Sequence, residues 1–185
     1  MDTILDSERR IGAVEQRLGA LESTLSTLFA KNIGLVAQEP GAVAEQTSAT
    51  LWLDAGFEHP AFYSHEVRGD GLGYHWMGRE DGAVLTLPVT RRHPRRVEVY
   101  IAIFINEKTL NSFTISCDGR APASYDEVKR DGMIVKSATY DAVSGPAGSA
   151  YTDVKLSIGA KVDLTPQGDS RTLAVGLHKI VVTEL

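Results

Sequence analysis

The chain has 185 residues, 43% of them hydrophobic, with 19 Lys and Arg against 24 Asp and Glu and a net charge of −5. That composition supports a buried core and excludes wholesale disorder, and the acidic balance argues against nucleic acid as a partner, because phosphate neutralisation needs cations. Cys117 is the single cysteine, so no internal disulfide and no Cys/His metal spacing is available, and no apolar run approaches the ~20 residues of a membrane helix.

The N-terminus, Met1-Asp2-Thr3-Ile4-Leu5-Asp6, lacks the basic start and apolar stretch of a signal peptide. The expectation is a product made in the cytoplasm that reaches any outside location by another route. Residues 1–35 then repeat apolar positions at spacings of three and four. With Ile4 as heptad position a, Ile11, Leu18, Leu25 and Asn32 also fall at a, and Ser7, Val14, Leu21, Leu28 and Leu35 fall at d. A seam held over roughly four heptads predicts a coiled coil rather than a helix packed on its own domain.

Arg10 and Arg17 fall at g, and Glu15 and Glu22 fall at e, the order that pairs neighbouring chains in a parallel bundle. Arg10-Ile11-Gly12-Ala13-Val14-Glu15 and Arg17-Leu18-Gly19-Ala20-Leu21-Glu22 both resemble the Arg-apolar-x-x-apolar-Glu motif of short parallel trimeric coiled coils. The β-branched Val14 at d also fits a dimer poorly. A homotrimeric stalk over 1–35 is therefore expected. Gly12 and Gly19 weaken that helix by about 1 kcal/mol each. Residues 36–50 are small and polar, and Pro40-Gly41 ends any helix, so this stretch reads as a linker.

From residue 51 to 185 the period changes to two. Strands are predicted over 83–89, 97–105, 111–117, 132–140, 151–158, 172–177 and 179–183, with no helical period between them. Asp118-Gly119, Asp131-Gly132 and Gly145-Pro146 punctuate the runs. Seven to nine short strands predict a mainly β head: an antiparallel, jelly-roll-like β-sandwich.

The segment from Phe62 to Gly78 concentrates aromatics, two histidines and charges around Gly69-Asp70-Gly71-Leu72-Gly73, which reads as a flexible loop. Aromatic faces stack on pyranose C–H faces, and nearby Asp, Glu, Arg and His bond vicinal hydroxyls, so this mixture suits a sugar site. The competing reading makes Phe62 and Trp76 core residues of two strands. The spacing of His59, His65 and His75 is not diagnostic of a metal site. Asp70, Glu80 and Asp81 do not form a dense acidic loop for Ca²⁺. Glu66 with Asp169 could make a glycosidase pair, and Arg68-Gly69-Asp70 spells an integrin-type tripeptide, but neither is specific.

Phe62-Tyr63 with Glu66, then His75-Trp76, then Asp169-Ser170-Arg171-Thr172-Leu173 and its apolar strand resemble the small β-sandwich domains attached to bacterial glycosyltransferases and polysaccharide-biosynthesis proteins. The resemblance covers roughly residues 58–183, with His75 where arginine is usual. It implies a carbohydrate-binding module without a cofactor, with Tyr63, Glu66, His75, Trp76, Asp169 and Arg171 as the sugar-binding set and Glu66, Trp76, Asp169 and Arg171 as one cluster. The competing reading of Asp169 and Arg171 is a structural ion pair. The plan of a trimeric stalk carrying β heads is similar to phage receptor-binding fibres and to gene transfer agent head spikes. It implies a non-enzymatic spike on a released virion-like particle, attaching it to bacterial surface or capsular polysaccharide, with a particle protein as partner at the N-terminus. The alternatives are a structural decoration or scaffold trimer without ligand, and a domain acting with a glycan enzyme.

Overall fold

The computed structural model describes residues 46–144 and 151–185. The heptad segment 1–35, with all of its proposed trimer contacts, lies outside the described residues, as do residues 36–45 of the linker. Among the described residues the chain is mainly β with antiparallel sheets, as the period-two runs predict.

Twelve strands are present among the described residues: β1 (Ser48–Trp52), β2 (Phe62–Val67), β3 (Gly73–Met77), β4 (Gly82–Thr90), β5 (Arg95–Phe104), β6 (Phe113–Cys117), β7 (Ser124–Arg130), β8 (Met133–Tyr140), β9 (Tyr151–Ile158), β10 (Val162–Asp163), β11 (Thr172–Leu173) and β12 (Val175–Glu184). One sheet runs β2-β3-β12-β5-β8-β7, and β1 pairs with the second half of β12, beyond the short β3 pairing. The facing sheet is β4-β9-β6, and β10 and β11 form a small ribbon.

The core follows from the alternation. Ala83, Leu85, Leu87 and Val89 of β4 are buried while Val84 and Thr86 are exposed. They meet Val97, Val99 and Ile101 of β5, Val154, Leu156 and Ile158 of β9, and Ile180 and Val182 of β12 in one cluster. The large sheet also buries apolar groups on its outer face. There Tyr74, Trp76, Ala102 and Leu173 cluster, with Leu164 of the β10–β11 segment packed against them. Alternation alone does not reveal that second layer.

Four differences from the predicted elements have physical causes. Residues 172–177 and 179–183 are not a closing pair of strands, because Val175–Glu184 is one strand whose register shifts on either side of Leu177, a bulge beside His178. Residues 111–117 divide into the end of a helix, α1 (Glu107–Ser112), and β6, so a helix does interrupt the strands. Asn106 starts α1 through reciprocal bonds with Thr109, and the Lys136 ammonium donates to the Leu110 and Phe113 carbonyls at its end. Residues 48–50, assigned to the linker, belong to β1. The all-exposed β7 shows no period because neither of its faces is covered.

Hydrogen bonds within the glycine loop close it into a turn. Arg68 N–H donates to the Leu72 carbonyl at 2.8 Å, and Asp70 accepts from Leu72 N–H and from the Arg68 guanidinium. The arginine and aspartate of the tripeptide are thus spent on each other. Arg91 and Arg92 in the β4–β5 connection and Arg95 and Arg96 at the start of β5 make a basic run that the acidic overall balance hides. Arg95 is fully buried and pairs with Asp118, and Arg91 lies 2.8 Å from Asp118 and 3.2 Å from Asp153. Arg91 and Arg95 therefore serve the fold.

Candidate functional site

β2 and β3 pair with Glu66 opposite Tyr74, and β12 carries Gly176 opposite Trp76. Period two then places Glu66, Tyr74 and Trp76 on the outer face. Tyr74 Oη donates to Glu66 Oε2 at 3.1 Å, and Trp76 Nε1 donates to the same oxygen at 3.3 Å. The other Glu66 oxygen accepts from Arg171 Nη1. Arg171 in turn donates to both Asp169 oxygens, at 2.9 and 3.0 Å from Nε and 2.7 Å from Nη2. Tyr63 completes the group: its ring centroid is 5.7 Å from Arg171 Cζ, and its hydroxyl accepts from Thr172 N–H at 3.2 Å.

The structure therefore brings Glu66, Trp76, Asp169, Arg171 and Tyr63 together. Arg171, held between two carboxylates, is pushed further up from its usual value, chiefly by its hydrogen bonds to Asp169. Those bonds hold Asp169 below the ordinary carboxylate range. Burial raises Tyr74, helped by the Glu66 charge.

Two members of the expected sugar set need correction as contact residues. Trp76 is only 5% exposed and His75 only 3%. Trp76 lies under the ion pair with Tyr74 edge-on at 5.7 Å, so it offers no face to a pyranose ring. His75 lies inside, with Nδ1 2.8 Å from the Tyr63 carbonyl oxygen and Nε2 2.8 Å from the Asp54 carbonyl oxygen. It ties the segment after β1 to β2. Both residues support the surface rather than forming it.

The open surface lies alongside. A groove of about 490 Å³ is lined by Phe57, Glu58, His59, Pro60, Phe62, Tyr63, Ser64 and Arg79. Phe57 and Phe62 form its buried floor, their rings edge-to-face at 5.3 Å. The Arg79 guanidinium lies 5.7 Å from the Tyr63 centroid and makes a long 3.5 Å bond to the Phe62 carbonyl. His59 Nδ1 accepts from Ala61 N–H at 3.1 Å, which leaves its Nε2 as a donor. Among the described residues Glu58 and Ser64 have no side-chain hydrogen-bond partner. Of this lining, only Tyr63 is in the set expected from sequence. Glu58, His59 and Arg79 carry no motif, and only the pairing of β2 with β3 brings Arg79 back beside Tyr63.

Among the described residues no group of three or more His, Cys, Asp or Glu side chains is arranged to hold a metal ion. Asp70 is engaged by Arg68, and Asp81 by Lys161 at 2.6 Å. Compared with family models, curated proteins and solved structures, the chain matches none.

Proposed function

We propose that this chain is a non-enzymatic carbohydrate-binding protein whose jelly-roll-like heads take bacterial surface or capsular polysaccharide, presented in threes by the 1–35 stalk on a virion-like particle. The groove beside Tyr63 carries the reading. It combines an aromatic side wall, an apolar floor and separate donors and acceptors (Arg79, His59, Ser64, Glu58) that suit ring hydroxyls. Weak, wet sugar contacts also gain from three linked copies, because the second and third contacts become intramolecular. A hydrolytic role has less support, because Glu66 and Asp169 are both paired with Arg171, which stands where a bond flanked by the two carboxylates would have to lie.

The test is binding of purified capsular and surface polysaccharides to the full chain by array and calorimetry. Binding that weakens about tenfold in Tyr63→Ala or Arg79→Ala, the equivalent of about 1.4 kcal/mol, is expected. Absence of binding to any polysaccharide would overturn the reading. A second reading, a structural trimer without ligand, is favoured by one observation: the Glu66–Arg171–Asp169 network is internally paired above a buried Trp76.

A further inference from the structure

A second depression, of about 270 Å³, is lined by Trp52, Leu53, Asp54, His65, Val67, Gly71, Gly73 and His178. Its walls continue those of the groove beside Tyr63. One wall is the end of β1 and the segment that follows it, with residues 52–54 here and 57–60 there. The other is β2, with His65 and Val67 here and Phe62, Tyr63 and Ser64 there. His75 fastens the two walls between the depressions, from Asp54 to Tyr63. A strand advances ~3.3 Å per residue, and β2 is bulged between Phe62 and His65, so Tyr63 to Val67 spans up to about 13 Å, room for more than one sugar ring.

The chemistry is also repeated. Trp52 is 41% exposed, steadied by His178 edge-on at 5.3 Å and by the Lys179 ammonium 4.6 Å from its centroid. His178 Nδ1 is engaged by the Gly73 carbonyl at 2.8 Å, which leaves Nε2 open. Among the described residues the His65 ring nitrogens have no hydrogen-bond partner, and Asp54 uses one carboxylate oxygen on Gly56 N–H. Gly73 keeps the floor low, since a Cβ there would collide with the His65 ring. The depression thus has an exposed indole, two imidazoles and a carboxylate around a backbone floor.

We infer that the two depressions are successive subsites for one extended glycan, bound along β2 by several internal units, with Trp52 as the platform of the second subsite. The inference rests on the carbohydrate reading above and names the class of ligand: a polysaccharide segment rather than a terminal sugar. β2 is an edge of the large sheet, so a linear chain can lie along it without meeting another strand.

The test is calorimetry of the full chain with a size series cut from a polysaccharide that binds. Affinity should rise from disaccharide to longer oligosaccharides. Trp52→Ala should weaken the long ligand about tenfold, one aromatic contact, and leave the disaccharide unchanged. Trp52→Phe should restore most of the long-ligand affinity, and unchanged thermal unfolding excludes a folding defect. Affinity independent of length, or Trp52→Ala without effect while Tyr63→Ala abolishes binding, overturns the second subsite and leaves the carbohydrate reading standing. No binding at any length overturns both.

Discussion

The Trp76 indole nitrogen and a Glu66 carboxylate oxygen are 3.3 Å apart, joining β3 to the edge strand β2 through side chains. The same oxygen accepts from Tyr74, and its partner oxygen accepts from Arg171. Glu66 is thus the common acceptor of three donors, two from β3 and one, Arg171, from just before β11. Glu66→Gln keeps the shape and loses the charge, while its new N–H groups face donors. A loss of about 1–3 kcal/mol is expected, measured by urea unfolding. A neutral result would mean that packing alone holds the two aromatics and Arg171.

That network separates what the sequence reveals from what it hides. The grouping of Glu66, Trp76, Asp169 and Arg171 is implied by the resemblance and not by period, since Asp169 and Arg171 precede β11 and lie on no strand. Their exposure is not legible. Whether Trp76 meets solvent depends on Leu164 and Leu173 of the β10–β11 segment, and nothing in the local pattern of Tyr74-His75-Trp76 announces that cover. Likewise the alternation of β4, β5, β8 and β9 is plain because one face of each is buried. β7 and the bulged β12 disguise theirs, the first through full exposure and the second through the shift near His178. The groove residues Glu58, His59 and Arg79 are set by loop path, which residue types fix least.

Acid should weaken the fold in a defined window. Arg68 holds Asp70 down at about 2, and Arg171 holds Asp169 below the usual range. Each folded carboxyl binds a proton less readily than its unfolded counterpart, near 3.9. The contribution is therefore complete above about pH 4 and lost as pH falls toward the folded values. The urea midpoint should decline through that window, and Asp70→Asn or Asp169→Asn should flatten the decline. An unchanged slope in both variants would place the acid sensitivity elsewhere.

Gly176 tests the outer-face packing. A Cβ there would stand 2.5 Å from Ile103 Cγ2 and 2.7 Å from Tyr74 Cδ2, both in a buried layer. Gly176→Ala should destabilise by about 1–3 kcal/mol through overpacking. Gly69, whose added Cβ would meet nothing within 4 Å, is the control, and Gly69→Ala should stay within about 0.5 kcal/mol. Equal midpoints for the two variants in thermal unfolding would refute this packing.

Asp118 neutralises the fully buried Arg95 and sits at φ 53°, a backbone conformation that asparagine also tolerates. Asp118→Asn therefore removes the charge with little backbone penalty. Stranding Arg95 should cost about 3–5 kcal/mol. The neighbouring thiol gives a second readout. Burial, aided by the Asp118 charge, pushes Cys117 up to about 12, so it should resist alkylation near pH 8 in the folded protein. Alkylation should become faster in Asp118→Asn as opening becomes more frequent. Rapid labelling of the unmodified chain would contradict the buried position of Cys117.

The stalk proposal can be separated from the head. Replacing both Leu18 and Leu21 with Asp puts charges at an a and a d position of the heptads. Light scattering of the full chain should report three copies, and the double variant one. Its head should keep the same β signal in circular dichroism and the same near-ultraviolet signature of packed aromatics. Binding to an immobilised polysaccharide should then drop about a hundredfold, while binding to a short soluble oligosaccharide should not change, because only the avidity of linked copies has been lost. A full chain that scatters as one copy would end the trimer proposal without touching the groove beside Tyr63, because that groove is built within a single head.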